Sequence, residues 1–205
     1  MTTSVTSPAD VVNLALVRIG HTWRVGNLYD GSKGASLALD IYGQTRDQLI
    51  RDGQWGFARR DIALTLQKSA PAGGYFPPNL WSRAANPPPN WLYQYAYPDD
   101  CLKVRSVRPA PTFSPSFDPQ PHVFDTPNDP TLTPPVKVLV CNVPNALCTY
   151  AGRITDPSQW EASFTEALAA ELGRRLAPAL ANLDTAKLEA SDDQIENAVA
   201  DMTQG

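Results

Sequence analysis

Residues 156–177 read DPSQWEASFTEALAAELGRRLA, the longest stretch of the chain in which a helix start, an apolar face and a stop all agree. Asp156 is a typical N-cap residue, Pro157 suits the first helical position, and Gln159 can complete a capping box. Large apolar side chains then recur every four residues, at Trp160, Phe164, Leu168, Leu172 and Leu176. The pattern predicts one long amphipathic helix, which Pro178 should kink or end.

Two further helices are predicted near the beginning of the chain. The first is capped by Ser7 and stopped by Gly20, and the second starts at Asp30 or Ser32 and ends at Gly53. We expect these helices to pack on the face of the long helix, because that face needs a matching apolar surface. The predicted bundle core is Leu16, Ile19, Leu39, Tyr42, Leu49, Trp55, Trp160, Phe164, Leu168 and Leu172.

The apolar period changes from 3.6 to 2 after Gly53, where Ile62, Leu64 and Leu66 alternate with smaller or polar residues. This alternation predicts a first strand, and further strands are predicted at 93–97, 102–107, 136–141 and 147–151. The predicted fold class is therefore α+β, mainly an α-helical bundle with an inserted small antiparallel β-rich lobe and long proline-rich loops. The predicted segments are 1–60 and 153–183 for the bundle, 61–152 for the lobe, and 184–205 for an acidic terminal helix.

The stretch from Lys68 to Pro135 holds sixteen of the twenty prolines and ten of the eighteen aromatic residues. Disordered linkers are usually poor in aromatic residues, so we expect an extended arm that packs on something. It could fold over its own sheet or contact a neighbouring subunit or tail protein, and the sequence leaves both open. The residues proposed for the second role are Trp81, Trp91, Tyr95, Phe113 and Phe117.

Charge and composition argue against several functional classes. The net charge is −4, of which residues 184–205 carry −5 and the rest +1, so no part is basic enough for a dedicated nucleic-acid binder. No apolar run approaches the roughly 20 residues of a membrane span, and the first residues lack an export signal, which predicts synthesis in a cytoplasm. The three cysteines form no CxxC pair, so we predict buried thiols, no metal site and no cofactor.

Motifs of catalysis were sought in the sequence and not found. The chain has no GxSxG elbow, P-loop, dinucleotide fingerprint or HExxH pair. Asp99 and Asp100 form the one carboxylate pair in an aromatic neighbourhood, but the YPDD sequence is typical of a turn between strands. The expectation is that the protein is not an enzyme.

Four stretches in this order resemble a known phage family. They are NLALVRIG at 13–20, the segment at 28–64 that begins LYDGSKG and contains WGFARRDIAL, YAYPDDCLKV at 95–104, and RITDPSQW at the start of 153–178. Together they resemble the head-to-tail adaptor family of short-tailed phages and their relatives, also called tail tubular protein A or gatekeeper. The resemblance excludes residues 109–135 and the last twenty, and the proline-rich middle departs from the family.

The resemblance implies a structural virion protein of the neck or tail, without catalysis. It implies a homo-oligomeric ring, a dodecamer, whose partners are the portal protein and the tail nozzle or another tail protein. Double-stranded DNA would pass through the ring without specific binding. Two alternatives from other classes are a virion-associated peptidoglycan hydrolase, which would use the Asp99–Asp100 pair, and a mostly β tail-tube or decoration protein.

The end of the chain carries one more hypothesis. Residues 184–205 show a narrow apolar stripe, Leu188, Ile195, Val199 and Met202, on a strongly acidic predicted helix. Such a helix is marginal alone, so we expect the stripe either to dock in a groove of the portal or to pack back on its own bundle.

Overall fold

The computed structural model describes residues 6–73, 80–111 and 120–181. It is a mixed structure with three helices, about 35% of the residues, and eight strands, about 25%, in two antiparallel sheets. The predicted mainly helical bundle is therefore wrong. The physical reason lies in the middle of the chain, where the predicted strands pair in two sheets and the proline-rich stretch adds two short strands, Phe124–Asp125 and Asn128–Asp129, that its turn-rich composition did not indicate.

Helix α1 (Pro8–Arg18) begins and ends as its sequence predicts. The Ser7 hydroxyl accepts from the Asp10 backbone N–H while the Asp10 carboxylate accepts from the Ser7 N–H, a complete capping box. At the other end, Gly20 adopts a φ of +77°, and the N–H of His21 donates to the Leu16 carbonyl at 2.9 Å. This is a Schellman stop, and it requires the left-handed conformation that glycine supplies.

Helix α2 (Lys33–Asp52) is capped by Ser32, whose hydroxyl accepts from the Ala35 N–H at 3.2 Å. Its buried residues include Tyr42 and Ile50, whereas Leu39, predicted in the core, is 37% exposed. The correction follows from the helical spacing, because buried positions at Ala35, Ala38, Tyr42 and Thr45 centre the stripe to one side of Leu39. Leu49 is only half-buried.

Helix α3 covers residues 162–181, where this described part of the chain ends. It starts later than predicted, because Asp156 caps a separate 3-10 turn at Pro157–Gln159 and Trp160 is extended. The Trp160 indole donates to the Ile154 carbonyl at 3.2 Å, and its ring packs edge-on against Phe164, with 5.0 Å between centroids. The chain therefore bends to seat the indole before the helix begins.

Of the two outcomes predicted at Pro178, a kink or an end, the structure excludes the end, since α3 continues through Pro178 to residue 181. Proline removes one backbone hydrogen bond and crowds the preceding turn. Leu176 and Leu180, on either side of Pro178, are both buried, and burying each side chain contributes about 1.5–3 kcal/mol, enough to offset that cost.

The eight strands form two antiparallel sheets. The strands are β1 (Arg59–Ala63), β2 (Leu66–Ser69), β3 (Tyr93–Ala96), β4 (Cys101–Pro109), β5 (Phe124–Asp125), β6 (Asn128–Asp129), β7 (Val136–Cys141) and β8 (Ala146–Gly152). One sheet has the order β1-β8-β4, and the other has the order β2-β3-β7-β5 with β6 also paired to β7. The predicted strands at 93–97, 102–107, 136–141 and 147–151 correspond to β3, β4, β7 and β8, while β5 and β6 were not predicted.

The alternating segment at Ile62–Leu66 is not one strand. Leu64 and Thr65 belong to neither strand, so β1 ends before them and joins the three-stranded sheet, whereas β2 begins after them and joins the larger one. Leu64 is buried at the crossing, whereas Leu66 is exposed. The single alternating segment of the sequence therefore spans two strands of different sheets, and Leu64 and Thr65 connect them.

The chain divides into two compact units, Met1–Leu49 with Ile154–Gly205, and Ile50–Arg153. The described part of the first unit holds helices and no strand, and the second holds all eight described strands. The division falls at Ile50, in the last turn of α2, whereas the sequence analysis placed it after residue 60.

Within the helical unit, α3 contacts both other helices. Gly173 faces α1 so closely that an added Cβ would lie 3.1 Å from Ile19 Cγ2 and 3.2 Å from the Ala15 carbonyl oxygen. Arg175 reaches α2 and donates to the Gln48 side chain at 2.7 Å. Leu16, Tyr42, Trp160, Phe164, Leu168 and Leu172 of the predicted core are buried, and Ile19 is half-buried.

Candidate interaction surfaces

The segment around Trp81, in the proline-rich arm, is attached to the larger sheet by a polar network that includes buried side chains. Trp81 donates its indole N–H to Gln94 Oε1 at 2.9 Å, and Gln94 in turn donates to Asp129 Oδ2 at 2.9 Å. Lys68 Nζ meets the same carboxylate oxygen at 2.5 Å and lies 5.9 Å from the centre of the Trp81 ring. Residues that are far apart in the sequence thus meet at one carboxylate.

The network gives hydrogen-bond partners to polar and charged side chains whose burial would otherwise cost free energy. The Asp129 side chain is fully buried and that of Lys68 is 6% exposed. The second Asp129 oxygen accepts from the Thr131 N–H at 2.9 Å and from its hydroxyl at 2.6 Å. Burial alone would raise the pKa of Asp129, but the hydrogen bonds from Lys68, Thr131 and Gln94 outweigh it and hold the pKa at about 2. The carboxylate is therefore ionised and paired.

The five aromatic residues proposed for contact with other subunits have different environments. Tyr95 is 1% exposed, and its hydroxyl donates to the Val143 carbonyl at 2.7 Å, so the prediction that it contacts a neighbour is wrong. Tyr95 lies on β3 between β2 and β7, and this central position turns its ring into the core. Trp81 and Trp91 are half-buried, while Phe113 and Phe117 lie outside the described residues.

A groove of about 520 Å³ runs beside the start of α1 in the helical unit. It is lined by residues of α1, α2 and the loop between them, including Leu39, Tyr42 and Arg46, with the 78% exposed Tyr29 at its edge. The Tyr42 hydroxyl has no hydrogen-bond partner within the described residues, but its oxygen is shielded from solvent. Burial raises the pKa of Tyr42.

A second groove, of about 540 Å³, lies on the outer face of the three-stranded sheet. Strand register places Arg59 and Lys103 on either side of Ala151, and Asp61 beside Thr149 in the next row. We call this surface the cationic face and define it by four residues around Asp61: Arg59, Lys103, Arg105 and Arg108. Its net charge is +3.

Backbone and side-chain contacts position the cationic face. Arg105 donates to the carbonyls that end α2, including that of Arg51 at 2.8 Å, which suits the negative end of a helix. Arg59 and Arg108 bind Asp61 at 2.9 and 3.2 Å, and the bond from Arg59 comes first among the causes that lower the pKa of Asp61. Sequence reasoning missed this face because its cations are spread over two distant strands. The available signal was the alternation of charged residues along each strand.

The predicted carboxylate pair lies at an exposed turn between β3 and β4, as its sequence suggested. Asp100 Oδ1 accepts the Tyr150 hydroxyl at 2.7 Å, so that carboxylate has a structural partner. Cys141 and Cys148 are buried, and burial raises the pKa of Cys148 to about 12. Cys101 is half-buried and lies 3.2 Å from the Tyr97 hydroxyl.

The described residues hold no cluster of three or more His, Cys, Asp or Glu side chains placed to bind a metal ion. None of the helices in this part of the chain combines the length and apolarity that crossing a bilayer requires.

Neither a family model nor a curated protein matches this chain. The predicted portal-docking residues Leu188, Ile195, Val199 and Met202 lie outside the described residues, and so does the whole acidic segment. Function must therefore be argued from the chain's own residues and surfaces.

Proposed function

We propose that this chain is a structural virion protein, a head-to-tail adaptor that forms a ring between the portal and the tail of a phage. The observation that carries the proposal is the order of the two units. A helical unit is built from both ends of the chain, and a strand-bearing unit, Ile50–Arg153, is inserted between them. The family that the sequence resembles implies a β-rich lobe inserted between helical parts of the chain. The order of the two units supports the proposal by analogy with that family, together with the four sequence stretches that carry the resemblance.

The exposed apolar residues also support a role in assembly. Leu66, Leu80, Leu92, Val123 and Val136 of the inserted unit are all substantially exposed, and Leu80 is followed directly by Trp81 of the buried network. Because that network holds Trp81 in place, the neighbouring Leu80 is presented at a defined position on the surface. Ordered, exposed apolar residues are the kind of surface that protein partners cover. We expect partners in the portal protein, a tail protein and further copies of this chain, with DNA passing through unbound.

The acidic segment is the proposed portal contact. Its apolar stripe would lie in a groove of the portal, and deleting the chain after Leu183 should abolish co-sedimentation with portal rings. The double substitution Ile195→Asp with Val199→Asp should have the same effect, because it places unpaired carboxylates in that contact. Asp193→Asn with Asp201→Asn is the matched control, since at helical spacing both residues lie away from the apolar stripe.

Imaging tests the proposal as a whole. Purified protein is viewed by negative-stain electron microscopy alone and after mixing with the portal of the same virus. We expect monomers or weak association alone, and a ring stacked on the portal in the mixture. Portal particles unchanged by an excess of this protein would refute the adaptor assignment.

A further inference from the structure

The cationic face has more positive charge than its own surroundings neutralise. Among the described residues, Asp61 is the one carboxylate bound to it, and that side chain already accepts from Arg59, Arg108 and the Thr149 hydroxyl. Arg105 donates to backbone carbonyls, so its charge has no carboxylate partner within the described chain. Lys103 is exposed and likewise has no ion-pair partner among the described residues. Lys103 and Arg105 therefore line the groove with positive charge that no carboxylate of the described residues pairs.

The same groove has an apolar wall. Trp55 lines it together with Val104 and Ala151, and its indole packs on Gly53 so closely that a Cβ there would have no space. The Trp55 ring also lies 6.3 Å from that of Phe57, which supports its orientation. A ligand that fits this site needs negative charge on one side and apolar groups on the other.

We propose that the cationic face binds the acidic C-terminal segment of this chain, residues 184–205. That segment carries six carboxylates against Lys187 alone, a charge of −5, and the face carries +3. Between its acidic residues stand Leu188, Ile195, Val199 and Met202, which match the apolar wall. The segment thus supplies both kinds of group that the groove requires, and complementary charge would fix its register.

The observations favour this segment over a nucleic acid. Phosphate backbones are bound by rows of cations, whereas here Asp61 stands among the four and engages two of them. An apolar wall of Trp55, Val104 and Ala151 is also of little use to phosphates. The inference goes beyond the proposed adaptor role and is tested on the purified chain alone. If both hold, the segment leaves the face when it meets the portal.

Zero-length carbodiimide coupling of the full-length protein tests the inference, because it joins a lysine to a carboxylate only where the two are in contact. We expect mass spectrometry to find Lys103 joined to carboxylates of residues 184–205. Lys137, which is exposed on the other sheet and lies over the Tyr97 ring at 4.3 Å, is the matched control and should couple to the segment at least several-fold less. Equal coupling of Lys103 and Lys137 to the segment, or no coupling of either, would overturn the proposal.

Competition distinguishes a fitted segment from charge alone. An excess of a synthetic peptide of residues 184–205 should lower the Lys103 product several-fold, and a scrambled peptide of the same composition should lower it clearly less. Equal competition by both peptides would overturn the role given to the apolar stripe. Duplex DNA is the third competitor, and stronger displacement by DNA than by the peptide would assign the face to nucleic acid instead. Mixing ¹⁵N-labelled with unlabelled protein identifies which copy supplies the segment, and either result supports the binding.

Discussion

At the level of single residues, the buried network around Asp129 connects the segment around Trp81 to the larger sheet. A buried ion pair adds little net free energy of unfolding. Removing one partner is strongly destabilising, because the other partner stays buried and charged. Its partners Lys68 and Gln94 are 61 and 35 residues away in sequence. No local pattern marks such distant partners, so the sequence alone could not predict this network. For the cationic face, the alternation of charged residues marks each strand but does not show that the two strands lie in one sheet.

Lys68→Met should therefore destabilise the protein by roughly 3–5 kcal/mol, because it leaves the Asp129 carboxylate buried without its cation. The free energy of unfolding is measured in urea. Lys137→Met removes an exposed lysine over the Tyr97 ring and should cost about 1 kcal/mol or less. Similar losses for the two variants would show that the buried pair is not what holds the arm.

The pH dependence of stability should carry the signature of Asp129. Its pKa is about 2 in the folded protein against an ordinary value of 3.8, so the folded state favours the charged form. The resulting stabilisation is complete above the ordinary pKa and is lost as the pH falls from about 4 towards 2. Asp129→Asn should flatten the stability profile in that range. An unchanged acid limb in the variant would contradict the assignment.

At the scale of elements, local sequence was reliable where a helix end depends on its nearest neighbours. Ser7, Asp10 and Gly20 define α1 through contacts within a few residues. The start of α3 was missed because the position of Trp160 depends on its indole bond to the Ile154 carbonyl and its packing on Phe164. The helix does not end at Pro178 for a similar reason, since burial of the leucines around it outweighs the local preference.

Phe164→Ala should lower the free energy of unfolding by about 3–5 kcal/mol, because this fully buried ring leaves a cavity beneath Trp160. Leu39→Ala is the matched control, since both residues were predicted in the core but Leu39 is 37% exposed. Its cost should be about 1–2 kcal/mol, below the range of buried leucines. Chemical denaturation compares the two, and a cost for Leu39 equal to that of Phe164 would contradict the described face of α2.

The contact between α1 and α3 should tolerate no added side chain. Gly173→Val would press into the Ala15 carbonyl oxygen and Ile19, and we expect a loss of about 1–3 kcal/mol, the cost of overpacking. Gly43→Ala, in α2, places its Cβ in open space and should stabilise by about 0.5–1 kcal/mol through helix propensity. Thermal unfolding distinguishes these signs. A stabilising Gly173→Val would show that the two helices are not in close contact.

At the scale of the whole molecule, the sequence predicted helices at both ends and strands between them, but not their proportions. Two sheets replace the single small sheet because the break at Leu64 and Thr65 sends β1 and β2 to different partners. A strand can pair with segments that are distant in sequence, and the alternation of apolar residues does not specify which segment is its partner. The core of the second unit, which includes Leu64, Tyr95 and Cys148, follows from that pairing.

We propose that the chain assembles as a ring on a phage portal, and mass photometry of portal particles measures that assembly. Portal rings from the same virus are measured before and after addition of the purified protein. The account predicts one discrete increase of about twelve times the chain mass of 22.3 kDa, with no comparable ring in the protein alone. No mass increase at saturating protein, or a broad series of increments without a preferred value, would contradict the claim.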